Sequence, residues 1–217
     1  MADIFHEVDE EVRRERLQKL WDRYSIYVIA LAVLIVVGVG LWRGYEWWIG
    51  KQAAAAGAKF EQALTLSEQG KHAEAEQAFA KLAADAPAGY RVLARLRAAA
   101  ELAQTKPDEA VQAYDAIAAD GSLTQTVRDL ANLRAGMLLV DKAPFADLEK
   151  RLGPLTEPGR TFRASARELL ALSAWQHNDM AAARKYIDMI TTDAESPPGA
   201  RTRAEVLSAL IAANGKS

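Results

Sequence analysis

Hydrophobic positions along the chain follow two regimes. From Tyr24 to Trp42 they are nearly continuous, 19 residues without a charge, with Ile26, Val28, Ile29, Leu31, Val33 to Val37 and Leu41 inside and Arg23 and Arg43 at the ends. From residue 51 onward they recur at three- and four-residue steps between polar positions, which is a helical period. At ~1.5 Å per residue the continuous run covers ~28 Å, close to the ~30 Å hydrocarbon core of a bilayer. Trp21 lies before it and Trp42, Trp47 and Trp48 lie at its far end, joined by Tyr24, Tyr27 and Tyr45. Such aromatic girdles mark the headgroup level. The pattern predicts a transmembrane helix over 24–44.

A cleaved signal peptide is the competing reading. Its charged leader would be rich in acid (Asp3, Glu7, Asp9, Glu10, Glu11, Glu15), and Trp42-Arg43-Gly44-Tyr45 follows the run instead of small residues. The small-residue stretch Ala53 to Ala56 comes too late for cleavage. Five basic residues precede the span (Arg13, Arg14, Arg16, Lys19, Arg23), against Arg43, Lys51 and the marginal Lys59 after it. That bias predicts a cytoplasmic N-terminus and residues 45–217 across the membrane, in the periplasm. The tail 1–23 is itself patterned: Ile4, Phe5, Val8, Val12 and Leu20 fall at helical steps, with acids first and bases later. It reads as an amphipathic helix on the inner leaflet, or more sharply as a docking helix for a cytoplasmic partner. Gly40-x-x-x-Gly44 carries little information at the end of the span.

The periodic part repeats. Three segments align: Gly70 to Phe79, Lys106 to Tyr114 and Asn178 to Ile187. With Ala75, Ala110 and Ala183 taken as equivalent, the spacings are 35 and 73, the latter close to two units of 36. A fourth, degenerate copy is therefore expected around Ala146. Each copy holds alanine followed four residues later by a bulky residue: Ala75/Phe79, Ala110/Tyr114 and Ala183/Ile187. Small residues precede them at Ala63, Ala98 and Ala171. This resembles the tetratricopeptide repeat, in which two antiparallel helices cross at alanine so that a bulky side chain four residues on fills the adjacent space. One unit cannot bury its apolar face alone, so units stack. In the degenerate copy Arg134 takes the small position and Lys150 the bulky one, so a shifted register is expected. Gly153-Pro154 and Pro158-Gly159 should cut its second helix short.

The fold class is all-α: one transmembrane helix followed by a tetratricopeptide-like solenoid of helical hairpins. Helices are expected near 52–69, 73–84, 89–104, 108–119, 124–140, 144–152, 160–177, 179–192 and 199–213. The last is a cap, with Val206, Leu207, Leu210 and Ile211 as its inward stripe.

Composition supports this and removes chemistry. There are 41 alanines among residues 51–217, and alanine favours helix over strand. The 27 Lys+Arg against 29 Asp+Glu exclude a basic nucleic-acid binder. With no cysteine there is no disulfide, thiolate metal site or cysteine nucleophile. No metalloprotease, nucleophile-elbow or phosphate-loop motif occurs. His72 and His177 fall at turns and read as solvated residues. We expect no enzyme, no cofactor and no metal.

Stacked hairpins bind peptides or helices along the face lined by their first helices. The usual tetratricopeptide groove positions carry over to Phe60 and Leu64, to Val92, Arg95 and Leu102, and to Leu138, Leu172 and Trp175. Phe60, Leu64, Leu102, Leu138 and Trp175 are the candidate partner-binding residues. The competing reading is that they belong to the core. The Lys/Asn set that clamps a C-terminal carboxylate is missing, so the groove is expected to be apolar with few fixed charges.

The layout resembles the YfgM family of bacterial inner-membrane proteins. The resemblance rests on the opening Asp3-Ile4-Phe5-x-Glu7-Val8-Asp9-Glu10-Glu11, the Arg-rich run to Trp21, the single span and the alanine-rich repeats, and the opening is most similar to the alphaproteobacterial branch. It implies an ancillary subunit of the Sec translocon that projects its repeats into the periplasm and helps pass emerging proteins to periplasmic chaperones. It implies no catalytic residues. Two other classes stay open: a membrane-tethered scaffold of an outer-membrane assembly or division complex, and a regulator acting through the tail.

Overall fold

A computed structural model describes the backbone from Asp3 to Asn214, with side chains at 21 and 23–213. The proposed amphipathic stripe of Ile4, Phe5, Val8, Val12 and Leu20, and the bases Arg13 to Lys19, lie outside the described side chains. Among the described residues the secondary structure is helix and turn, with no strand. The helices are α1 (Asp3–Glu68), α2 (His72–Asp85), α3 (Ala88–Thr105), α4 (Pro107–Ala118), α5 (Gln125–Leu139), α6 (Phe145–Leu152), α7 (Arg163–Gln176), α8 (Met180–Thr191) and α9 (Pro198–Asn214). A short 3₁₀ segment, Gly153–Thr156, follows α6. The first repeat helix, expected to begin near 52, is instead the end of α1, which is continuous from Asp3 to Glu68. No proline and no turn-forming cluster interrupts it, and alanine fills 53–56.

The chain divides into two compact units, Met1–Ala55 and Ala56–Ser217. In the first, the helix is long and apolar enough to cross a membrane. Its side chains are exposed on every side: Val36 is 70% and Leu41 71% accessible, and Trp42 71%. This all-round apolarity is what a lipid-facing helix presents. At its far end the Lys51 ammonium sits 4.3 Å from the centre of the Trp47 ring.

In the second unit the alanine crossings hold except at Ala98, which is only half-buried while Ala94 and Ala99 of the same helix are buried. Ala63, Ala75, Ala110, Ala171 and Ala183 are fully buried, and Phe79, Tyr114 and Ile187 are buried beside them. The turns that close the hairpins are set locally. After α1, Gly70 takes φ +74, and the Lys71 N–H donates to the Leu66 carbonyl at 3.0 Å. After α7, Asn178 takes φ 60, and the Asp179 N–H donates to the Ala174 carbonyl at 2.8 Å. Both are left-handed helix ends, which glycine adopts freely and asparagine tolerates. Asp179 then caps α8 by accepting from the Ala182 N–H at 2.9 Å. Pro107 opens α4, where its missing N–H is not needed.

The degenerate unit is shifted, by different amounts in its two helices. Arg134 is exposed, and the next residue, Ala135, is fully buried. Ala146 and Lys150 are exposed, while Leu148 and Leu152, two residues on, are buried. The crossing is rebuilt with a glycine: a Cβ on Gly136 would lie 2.9 Å from both Leu152 methyls. Leucine has thus taken both the alanine and the bulky position of the second helix, as Leu148 and Leu152, and a glycine opposite accommodates Leu152. α6 is only 8 residues long and passes into the 3₁₀ segment at Gly153-Pro154.

There the buried Arg167 replaces helical hydrogen bonds. Its Nε and Nη2 donate to the Thr156 carbonyl at 3.0 and 2.7 Å, and its Nη1 to the Met189 carbonyl at 2.8 Å. Nη1 also reaches Asp193 at 2.7 Å, and Arg163 pairs with the same carboxylate through Nε at 2.7 Å. Asp193 is held well below the usual carboxylate range, chiefly by its bond to Arg163.

The α9 cap packs differently from expectation. Ala200, Ala204 and Ile211 are buried and Leu207 half-buried, so the inward stripe is 200, 204, 207 and 211. Val206 and Leu210 are 57% and 48% exposed on another face.

Candidate partner-binding surface

The five candidate residues are all half-buried, each at the margin of the core. Phe60 packs against two of the buried groups. Its ring lies 5.1 Å from Phe79 in an edge-on pair and 6.1 Å from Tyr90, joining the two core clusters of the first hairpins. Leu64 packs against the same buried group as Ala63, Ala75 and Phe79. Leu138 packs against the middle cluster of Ala99, Tyr114, Ile117, Ala131 and Ala135. Trp175 and Leu172 lie against the large C-terminal cluster. Leu102 belongs to none of these clusters. The structure therefore brings Phe60 and Leu64 together and distributes the other three one per repeat along the first helices. Leu102 and Trp175 each stand four residues beyond the small residues Ala98 and Ala171, and Leu138 stands three beyond Ala135.

Charges on the first helices are more numerous than the sequence led us to expect. Arg95 is neutralised by Asp120 at 2.6 Å, and Asp120 is lowered to about 2 by its bonds to Ser122 and Arg95. Arg97 and Arg134 are exposed and make no ion pair among the described residues. Leu93 and Met137 are also exposed. Sequence reasoning missed Arg134 because it placed it at a core position; its exposed register appears only once Ala135 is seen to take the crossing.

His72 is tied into the fold, whereas His177 is exposed at its turn as expected. His72 Nδ1 lies 2.8 Å from Glu101, a buried carboxylate that also accepts from the Ser67 hydroxyl at 2.6 Å. This small polar knot ties the end of α1, the start of α2 and α3. His177 Nδ1 lies 2.8 Å from the Ser173 carbonyl. Among the described residues no group of three or more His, Asp and Glu is placed to hold a metal ion.

Beside the C-terminal cap, an open cavity of about 170 Å³ is lined by Leu172, Ile187, Ile190, Leu207 and Leu210, with Glu168 and Arg203 paired across its rim. It is apolar and contains no converging donors or acceptors, so it suits side chains and not a small polar substrate.

Residues 18–186 match a family model described as a tetratricopeptide repeat-like domain. The match begins inside the N-terminal helix and ends within α8, leaving α9 beyond it. No curated protein and no solved structure matches the chain.

Proposed function

This chain belongs to the tetratricopeptide repeat-like family, and we propose that it is an adaptor anchored in the bacterial inner membrane beside the Sec translocon. Repeats of this kind bind proteins, so the repeat domain implies protein partners in general. The finer reading adds three things: an N-terminus in the cytoplasm, repeats in the periplasm, and exported chains or periplasmic chaperones as the partners. Phe60, Leu64, Leu102, Leu138 and Trp175 are the residues proposed to meet them. The observation that carries the reading is the occurrence in one chain of an exposed, membrane-length apolar helix and of half-buried apolar residues on the first helix of each repeat. The resemblance to the YfgM family supplies the translocon. Tethering would hold the repeats at high local concentration near the channel, so that modest affinity suffices.

Two measurements test it. A reporter active only in the periplasm, fused after Ser217, should be active; activity of a cytoplasm-only reporter there would reverse the topology. Purification of the full chain in mild detergent should bring translocon subunits with it. Recovery instead of outer-membrane assembly or division proteins would favour a scaffold.

A further inference from the structure

The stretch of α1 that follows the apolar run is two-faced, although the run itself is apolar all round. Trp42, Tyr45, Trp48 and Ile49 are exposed, at 71%, 60%, 53% and 40%. At ~100° per residue they share one arc of the helix, about 120° wide. Arg43, Glu46, Trp47, Gly50 and Lys51 fall on the opposite arc. The side-chain contacts follow these two faces. The Tyr45 and Trp48 rings lie 6.4 Å apart on the first. On the second, Arg43 pairs with Glu46 at 3.3 Å, and the Lys51 ammonium sits 4.3 Å from the centre of the Trp47 ring. Trp47, the aromatic residue of this stretch outside the arc, thus has a cation against its face.

Two features of the aromatic arc indicate what covers it. It is continuous with the surface that faces lipid: Leu41, 71% exposed, stands four residues before Tyr45 and seven before Trp48. It also lacks the small residues through which helices approach one another in membranes. Within 42–51 those are Gly44 and Gly50, and both lie off the arc. Trp and Tyr rings suit the headgroup layer, where the ring meets hydrocarbon and the N–H or O–H stays wet.

An upright helix cannot satisfy both faces. Ile49 lies seven residues past Trp42, a rise of ~10 Å, whereas each headgroup layer is only ~5–8 Å deep. With Trp42 at the edge of the hydrocarbon, Ile49 would stand in water and Trp48 at the outer limit of the layer. Sinking the helix until Ile49 reaches that edge would carry Arg43 and Glu46 into hydrocarbon, where charges are costly. The geometry points to a tilted crossing, in which the arc of Trp42, Tyr45, Trp48 and Ile49 lies down on the headgroup layer of the bilayer while Arg43, Glu46 and Lys51 face water. The anchor then ends near Lys51 and not at Arg43. The arc sets both the direction of tilt and the rotation of α1 about its own axis, as interfacial anchors do. Turning the helix by half a turn would press Arg43 and Glu46 toward the hydrocarbon. The inference rests on the membrane-anchor reading and adds a lipid-binding face to it; it is independent of the translocon and of which side the repeats occupy.

The chain has no cysteine, so single cysteine variants of the full chain can carry a spin label in phosphatidylcholine nanodiscs. Tyr45→Cys, Trp48→Cys and Ile49→Cys sample the arc, each leaving its other three members in place. Glu46→Cys, Trp47→Cys and Gly50→Cys sample the opposite face, and Val36→Cys the apolar run. Collision of the label with oxygen reports membrane depth, and collision with a nickel chelate reports water. The oxygen-to-nickel ratio should rise and fall with the helical period and be several-fold higher on the arc. Circular dichroism of each variant checks that the helix content is unchanged.

A ratio that falls smoothly from 45 to 50 without a period would mean an upright exit and overturn the proposal. A maximum on the face of Glu46 and Gly50 would do the same. Protection of the arc from both reagents would mean that protein covers it, a partner helix or a second copy, and is likewise contrary. The label at position 36 separates this failure from that of the anchor. If it is oxygen-rich while 45–50 shows no period, the membrane reading stands and only the tilted face fails; if it is open to the nickel chelate, both fail.

Discussion

The hairpin formed by the end of α1 with α2 and the hairpin formed by α5 with α6 solve the same packing problem in different ways. In the first, Ala63 and Ala75 meet at the crossing and Phe79 fills the space beside them, all fully buried. In the second, shifted by two residues, Leu148 takes the place of that alanine and Leu152 that of the bulky residue, and Gly136 yields the volume Leu152 needs. The helix that carries Leu152 is short, and Arg167 supplies from a neighbouring element the hydrogen bonds that another turn of helix would have made. A repeat can therefore lose its motif and keep its fold, provided that volume is conserved across the crossing and the exposed carbonyls find donors.

The sharpest way to break this comparison is to remove the donor. Arg167→Met leaves the Thr156 and Met189 carbonyls short of partners and loosens Asp193. Breaking such a buried charged network costs about 3–5 kcal/mol. Urea unfolding of the full chain in detergent, followed by circular dichroism, should show that loss, and an unchanged midpoint would mean that the irregular unit does not depend on the clamp.

Overpacking the regular crossings comes next. Ala75→Trp or Ala183→Trp should each destabilise by about 1–3 kcal/mol or more, because no void exists to receive the ring. Indifference to both would contradict the crossing geometry.

Gly136→Ala is a finer probe, because two effects oppose. Alanine improves helix propensity by about 1 kcal/mol over glycine. The new Cβ would meet two methyls of a fully buried leucine at 2.9 Å, an overpacking of about 1–3 kcal/mol. The net result should be a small loss. Gly136→Ala combined with Leu152→Ala should couple favourably, since each change makes room for or fills the other. Strict additivity would separate the two positions.

The smallest effect is the pH dependence of the clamp. Asp193 is held below its ordinary range, so its contribution is complete above the unfolded-state value near 4 and fades as pH falls toward the lower folded value. Between pH 5 and pH 2 the wild-type chain should therefore lose stability more steeply than Asp193→Asn. Parallel curves would show that the Arg163 and Arg167 bonds do not set this slope.

The regular hairpins were legible because their signal is local. Alanine with a bulky residue four positions on, at steps near 36, located Ala75, Ala110 and Ala183 and their helices to within a few residues. The membrane-length helix was legible because an uninterrupted apolar run leaves no polar face. The shift in the degenerate unit was legible only as a misfit at Arg134 and Lys150. Its size depends on the pairing of Gly136 with Leu152, two residues 16 positions apart that no periodicity links. The inward stripe of α9 was misread for a related reason. Val206 and Leu210 are more hydrophobic than Ala200 and Ala204, but the close approach of α9 to its neighbours selects the smaller residues, as at the other crossings. The exposure of Arg134 was hidden by the one-residue shift that puts Ala135 at the crossing.

The account assigns partner contact to the first-helix face of the repeats, with Trp175 as an aromatic anchor of the kind that dominates such contacts. The most direct measurement is a photo-crosslinker placed at position 175 in cells exporting proteins, compared with the same probe at Lys81, an exposed position on the second helix α2. The account predicts that position 175 traps translocating chains or a periplasmic chaperone and that position 81 traps far less. Equal labelling at the two positions, or labelling confined to probes within residues 24–42, would contradict it and leave the membrane helix as the point of contact.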